Sequence, residues 1–169
     1  MTLSHKFVDM PVGQLKLVAS PKGLAAILWP DDDPKRVRLD ATTEDREQPI
    51  LIETERQLRA YFAGKLQRFT VPLDFRGTLF QKSVWQALPS IPFGESRTYR
   101  QIAEQIGKPT AFRAVGAANG KNPISIIALC HRVLGSDGTL TGFAGGLEVK
   151  HFLLRLEGVD ASRYLLPAA

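Results

Sequence analysis

The hydrophobic pattern of this chain changes character near Arg76-Gly77. Over residues 6–29 apolar and polar positions alternate, as in short strands separated by turns. After Gly77 the chain reads as short helices joined by tight turns. The change predicts an α+β protein with two domains, residues 1–75 and 76–169.

The first domain is predicted to contain a small antiparallel sheet. Residues 6–29 form its meander, and the polar stretch that follows is a loop with room for a short helix at Pro34–Leu39. Apolar spacing predicts a helix from Pro49 to Gly64, where Gly64 stands at the C-terminal end. Leu66–Phe75 is predicted to be extended.

Three threonines of the second domain stand where helix N-caps are expected. Thr78 is predicted to cap a helix over 80–88, Thr98 one over 99–106, and Thr110 one over 111–118. The last two are joined by a Gly-containing turn, which is typical of a helix-turn-helix. From spacing alone, DNA binding and an ordinary helical corner both stay open.

The net charge of +5 comes from the second domain. Residues 1–75 carry 11 Lys and Arg against 11 Asp and Glu, whereas residues 76–169 carry 11 against 6. The second domain is therefore the one expected to contact a polyanion such as DNA, with a basic composition that only aids solubility as the alternative.

The composition also excludes several classes. It is 44% hydrophobic and 23% charged, as in globular proteins, and has no run of about 20 apolar residues and no apolar signal segment. We therefore expect a cytoplasmic protein with no membrane contact. A single cysteine allows no internal disulfide, and the scattered histidines make structural zinc unexpected.

That cysteine, Cys130, carries the candidate chemistry. The apolar run Ile124–Leu129 predicts a short buried strand that ends at Cys130, next to His131 and Arg132. A thiol reacts as thiolate, which neighbouring cations or a base favour. On an extended backbone, His131 would act on Cys130 through a water rather than directly. An inert core cysteine is the alternative.

The second domain resembles the O6-alkylguanine-DNA alkyltransferases. The similarity rests on an ordered set of strings, each weak alone and specific together: Phe80–Trp85, Ile91–Gly94, Thr98-Tyr99, Arg113–Pro123, Cys130–Val133, Gly145-Gly146 and Leu153–Gly158. The first domain matches loosely, through its strands and Tyr61–Gly64. The resemblance implies a ribonuclease-H-like sheet domain followed by a helical, winged-helix-like domain with a helix-turn-helix.

The resemblance implies DNA repair by direct reversal. An alkyl group would move irreversibly from O6 of guanine, or from O4 of thymine, to Cys130, one group per protein. His131 would be the base and Glu157 the residue that orients it. Two alternatives stay open: a module that binds the lesion without efficient transfer, and a Cys-His hydrolase.

The family pattern also implies the contacts to DNA. Tyr99 would donate to the departing guanine, Asn122 would act as a hinge, and Arg113 would fill the space left by the flipped base. The other expected DNA contacts are Thr110, Ala114, Lys121 and Arg132, and the expected pocket residues are Phe143, Ala144, Gly145 and Val133. We expect a monomer acting on double-stranded DNA with no cofactor and no metal; cooperative binding to DNA stays open.

Three positions depart from the family pattern. Leu129 replaces the usual proline before the cysteine, which frees φ and restores an N–H. Phe143 stands where a tyrosine is frequent, and Phe112 stands before Arg113 where a small residue is common. Transfer also requires an accessible sulfur, so a sealed Cys130 would count against it.

Overall fold

The computed structural model describes residues 2–135 and 143–159. The chain divides into two compact units, Met1–Arg76 and Gly77–Ala169. Within the described ranges, no helix is long and apolar enough to cross a membrane.

The first unit is built on a four-stranded sheet. Strands β1 (Leu3–Met10), β2 (Gly13–Ala19) and β3 (Leu24–Leu28) form the antiparallel meander that the alternating pattern predicts. A fourth strand, β4 (Thr42–Glu44), pairs in parallel with β1, which makes the sheet mixed, in the order β3-β2-β1-β4. The parallel pairing of β4 is an addition to the antiparallel sheet that the sequence predicts.

Helix α1 (Pro49–Phe62) packs against the sheet of the first unit. Its buried positions follow helical spacing, from Leu51 through Leu58 to Tyr61. The chain leaves the helix at Gly64 with φ of 74°, a left-handed conformation that glycine adopts without strain.

The connecting segments of this unit differ from the prediction in one place and agree with it in part in another. Residues 34–39 form turns and bends rather than a helix. Residues 66–75 pair with the sheet at one point only, where a bridge joins Leu73 to Leu24 and the Leu24 backbone bonds to Pro72 and Asp74. The Gln57 side chain bonds to both the amide and the hydroxyl of Thr70.

Helices dominate the second unit. They are α2 (Leu79–Ala87), α3 (Tyr99–Gln105), α4 (Phe112–Gly120) and α5 (Leu147–Leu156), with short 3-10 helices at Leu88–Ser90 and Cys130–Arg132. Strands β5 (Arg97–Thr98) and β6 (Val133–Leu134) pair in parallel. The helix-turn-helix is α3 and α4, which pack on each other and on α2.

The capping predictions have mixed outcomes. Thr78 and Thr98 each accept a hydrogen bond from the backbone three residues on, and Gln81 and Gln101 reciprocate, so both N-termini are capping boxes. Thr110 is not a cap: α4 begins after Ala111, which makes no side-chain capping bond. The turn between α3 and α4 is longer than three residues, so helix α4 starts after the predicted position.

The segment before Cys130 is not the predicted strand. Its backbone amides bond within the segment, from Ile127 to Ser125, from Ala128 to Ile124 and from Leu129 to Ile126. The apolar run is buried, as expected, but it is buried as consecutive turns because its polar groups are satisfied locally. Cys130 therefore opens a 3-10 helix instead of ending a strand.

Candidate functional site

The carboxylate of Glu157 joins two residues of the 3-10 helix that begins at Cys130. His131 Nε2 lies 2.7 Å from Glu157 Oε2, and Arg132 Nε donates to Glu157 Oε1 at 2.7 Å. All three residues are at least 98% buried. Glu157 is the C-cap of α5, so the end of that helix is attached directly to the cysteine segment.

Glu157 stays ionised in this setting. Burial alone would raise the pKa of its carboxyl group, but the hydrogen bonds and charges of His131 and Arg132 outweigh burial and lower the pKa to about 2. An ionised carboxylate is only an acceptor, so His131 Nε2 carries the hydrogen and donates it to Glu157.

The second ring nitrogen of His131 is thereby an acceptor. Burial lowers the pKa of His131, partly offset by Glu157, and the charges of Arg132 and Lys150 lower it further. The imidazole is consequently neutral near pH 7. Its Nδ1 atom is buried and has no hydrogen-bond partner among the described residues, which leaves it able to accept a proton.

Cys130 is almost completely buried. The residue is 3% exposed, so the thiol does not lie at the mouth of an open groove. Its carbonyl accepts a hydrogen bond of 3.3 Å from Asn119 Nδ2 of α4. The sequence predictions omit Asn119, because only the fold brings this buried amide of α4 to the cysteine.

The backbone around Cys130 has two left-handed residues that are not glycine. Ile126 has φ of 71° and Leu129 has φ of 60°. Such conformations cost of order 1–3 kcal/mol each and persist only where the surroundings enforce them. Leu129 uses both freedoms that a proline would remove, a positive φ and an N–H that bonds to Ile126.

The side chain of Arg132, one of the expected DNA contacts, points into the second unit. Its side chain is 3% exposed, and its guanidinium binds Glu157 and, at 2.6 Å through Nη1, the carbonyl of Ile91. These bonds attach the cysteine segment to the end of α5 and to Ile91.

Asn122 and Tyr99 are brought towards the cysteine segment by different means. Asn122 follows α4, is 1% exposed and accepts a hydrogen bond of 2.9 Å from the amide of Ile124, so it fixes the first turn of the segment. Tyr99 begins α3 directly after β5, whose partner β6 follows Arg132. A side chain at Gly116 of α4 would begin 3.9 Å from the Tyr99 ring.

The predicted DNA contacts other than Arg132 lie on the surface of the helix-turn-helix. The exposed ones are Thr110, Arg113, Ala114 and Lys121. Phe112 packs beneath the guanidinium of Arg100, whose Cζ lies 3.9 Å from the ring centroid, and Arg113 Cζ lies 6.0 Å from the same ring. Phe112 thus gathers two cations beside the start of α4.

The predicted pocket residues come from two places. Phe143, Ala144 and Gly145 are half-buried in the turn before α5, whereas Val133 is fully buried in β6. A cavity of about 370 Å³ lies elsewhere, in the first unit, beside Phe7 and Trp29, and includes none of the predicted site residues. In the described part of the chain, no three His, Cys, Asp or Glu side chains cluster as a metal site would require.

Lys150 is a further member of the site that the sequence predictions omit. It is fully buried on the inner face of α5 with Leu153 and Leu154, and its Nζ donates to the Val133 carbonyl at 2.7 Å. Burial lowers the pKa of Lys150 to about 8, while the charge of Cys130 raises it. Its signal in the sequence is a lysine at a core position of an amphipathic helix, one heptad before Glu157.

Comparison with known proteins gives a consistent result for both units. Residues 3–75 match the ribonuclease-like domain of 6-O-methylguanine DNA methyltransferase, and residues 79–159 match the DNA binding domain of the same proteins. These matches agree with the predicted α+β class and with its two-part architecture.

Individual relatives agree along nearly the whole chain. A methylated-DNA–protein-cysteine methyltransferase of Methanosarcina barkeri is 50% identical over 153 residues, which cover 90% of this chain and 96% of the relative. One from Mycolicibacterium paratuberculosis is 47% identical over 92% of each. A crystal structure of Mycobacterium tuberculosis OGT in complex with DNA superposes with a TM-score of 0.83 at 45% identity, covering 95% of this chain and 94% of that one. Identity of this extent across both units establishes that the chain belongs to the 6-O-methylguanine DNA methyltransferase family.

Proposed function

We propose that this protein repairs DNA by transferring an alkyl group from O6 of guanine, and from O4 of thymine, to Cys130. The observation that supports it is a single cysteine next to a buried His131–Glu157 pair whose Nδ1 is free to accept a proton. Relatives with the methyltransferase name are about half identical over most of the chain, and one with a similar structure was crystallised with DNA.

The proposed chemistry moves one proton and one alkyl group. His131 Nδ1 takes the thiol proton of Cys130 through a bridging water, and Glu157 stabilises the imidazolium that forms. The sulfur lone pair attacks the alkyl carbon, and the C–O6 bond breaks with its electron pair going to guanine. Tyr99 donates a proton to the guanine anion. The proton that His131 took from the thiol then replaces the proton lost by Tyr99, so both residues end in their neutral forms.

The product accounts for a single turnover. A thioether on Cys130 is not cleaved by water, in contrast to the thioester of a cysteine hydrolase, so each molecule acts once. A hydrolase would need a bond that water can cleave, and a module that only binds lesions has no need of a thiol beside a base. Retention of Cys130 and His131 therefore favours transfer.

Contact with DNA is proposed for the second unit. Arg113, Thr110, Ala114 and Lys121 lie exposed on or beside α4, in the part of the chain that matches a DNA binding domain. The first unit would support the second, and the protein would act as a monomer without cofactor or metal on double-stranded DNA. The proposed location is the cytoplasm, because the DNA of bacteria and archaea, the sources of the relatives above, lies there.

The low exposure of Cys130 adds a requirement to the mechanism. At 3% exposure the sulfur meets a base only when the surrounding side chains move, so entry of the alkylated base must coincide with a local opening. The half-buried turn at Phe143–Gly145, which precedes α5, is the proposed wall of the alkyl pocket.

Mass spectrometry tests the transfer directly. After incubation with duplex DNA containing O6-methylguanine, we expect one added methyl group per chain, located on Cys130, and no further gain with excess DNA. Cys130→Ser is the matched control and should gain nothing. Unmodified Cys130 in protein that binds the lesion tightly would instead establish the binding-only alternative, and steady release of product from an ester would indicate a hydrolase.

A further inference from the structure

The most unusual side chain near the site is a lysine inside the protein. Lys150 has no solvent exposure, although lysine is among the residues least often buried completely. It occupies the same face of α5 as Leu153 and Leu154, where an apolar residue would be expected. A buried ammonium group is costly in the absence of compensating interactions, so its retention indicates a function.

Lys150 and Glu157 both connect α5 to the reactive segment. Lys150 Nζ donates to the carbonyl of Val133, the residue that follows the 3-10 helix of Cys130. One heptad further along α5, Glu157 holds His131 and Arg132 of that same helix. The segment from Cys130 to Val133 is thus held by two charged side chains of one helix.

The charges at this point are complementary. Arg132 and the ionised Glu157 form a direct pair, and His131 is neutral. When the Cys130 thiol is ionised, its negative charge raises the pKa of the Lys150 ammonium group. The same attraction favours the thiolate of Cys130 over its thiol. The pKa of about 8 leaves Lys150 mainly protonated at pH 7.

We propose that Lys150 is a positioning residue for the transfer reaction: its buried ammonium group stabilises the Cys130 thiolate and fixes the Val133 carbonyl beside it. This inference rests on the proposed function, because a stabilised thiolate is useful only if Cys130 accepts the alkyl group. It divides the activation of the thiol between two groups, with His131 removing the proton and Lys150 balancing the charge that remains.

The test measures the ionisation of the thiol without any substrate. Since Cys130 is the only cysteine, the ultraviolet absorbance of the thiolate as a function of pH, after subtraction of Cys130→Ser, reports one group. Lys150→Met removes the charge and the hydrogen bond to Val133, whereas Lys150→Gln removes the charge and keeps a donor. Lys82→Met removes a charge from the partly exposed surface of α2 as the control.

We expect both Lys150 variants to raise the thiol pKa by about one unit or more, since a nearby opposite charge typically shifts a pKa by this amount. At a pH below the thiol pKa, reaction with free O6-benzylguanine should slow by the same factor, about tenfold, while Lys82→Met matches the wild type. Circular dichroism establishes that each variant is folded.

Other outcomes would overturn the inference. A thiol pKa that is unchanged in both folded variants excludes an electrostatic role, and a shift in Lys150→Met alone would show that only the hydrogen bond matters. The proposed function is tested separately by the wild-type adduct on methylated DNA. Loss of that adduct would refute the transfer itself, whereas a normal adduct with an unshifted thiol would refute only the role of Lys150.

Discussion

At the scale of single residues, Glu157 has the most connections in the site. Its two oxygens are occupied by different partners, His131 and Arg132, and its folded pKa of about 2 is below the ordinary value of 4.5. A carboxylate with a lowered pKa stabilises the fold above its ordinary value and loses that contribution as the pH falls towards its folded value. The relevant window is therefore from about pH 4.5 down to pH 2.

We predict that Glu157→Gln lowers the free energy of unfolding of the second unit by about 3 kcal/mol at neutral pH, because it leaves Arg132 without its buried counter-charge. The difference from the wild type should shrink as the pH falls through that window. Denaturant unfolding at several pH values measures it. Glu148→Gln, an exposed carboxylate on the same helix, should cost less than about 0.5 kcal/mol; a constant Glu157 difference across the acid range would contradict the prediction.

At the scale of helices and turns, Thr98 caps a helix and Thr110 does not, so the two threonines should contribute differently to stability. Thr98→Ala removes one half of a capping box and should lower the unfolding free energy by about 1 kcal/mol. Thr110→Ala removes a threonine that caps nothing and should leave stability nearly unchanged. Thermal unfolding of the two variants side by side measures both, and equal losses would show that Thr110 does cap α4.

Helix α4 presents Arg113 to solvent, where the proposed role is to fill the space left by a flipped base. Arg113→Ala should slow repair of duplex DNA by tenfold or more but leave the reaction with free O6-benzylguanine nearly unchanged, since a free base needs no flipping. Single-turnover rates on both substrates test this. Arg155→Ala, an exposed arginine of α5, is the control, and equal losses on both substrates would remove Arg113 from the role.

The elements that the sequence predicts correctly are those whose signals are local. The N-caps at Thr78 and Thr98 and the helix α1 depend on residues close together in the sequence. Strand β4 is three polar residues paired in parallel with β1, so no local pattern indicates it. The run 124–129 has the composition of a strand, but backbone bonds within the segment determine its shape.

The site was predictable to the extent that its residues lie in recognisable motifs. Cys130, His131 and Glu157 follow from the family resemblance, and the structure brings His131 and Glu157 together. Asn119 and Lys150 reach the cysteine segment through tertiary contacts, which the sequence motifs do not indicate. Arg132 belongs to a motif, but its side chain turns inward, which only the fold could show.

At the scale of the whole molecule, the charge is unevenly distributed, and the second unit, which begins after Arg76, carries four of the five surplus positive charges. Binding to undamaged duplex DNA should vary little with base sequence and should weaken with salt, at about 0.9 in the log–log slope per neutralised phosphate. Lys121→Ala should reduce that slope by about 1. Lys35→Ala, exposed in the first unit, should leave it unchanged. Fluorescence anisotropy over a salt series measures both, and a flat titration would contradict phosphate contact.

A protein that accepts one alkyl group per molecule is inactivated whenever its cysteine reacts with another compound. With 3% of Cys130 accessible, dissolved oxidants and small electrophiles meet little of the sulfur, although thiolate character would otherwise make it vulnerable. Burial of the cysteine therefore slows the inactivation of protein that has not yet reacted with DNA. The alkylated fraction of the protein then reflects the number of lesions repaired, and not side reactions of the thiol.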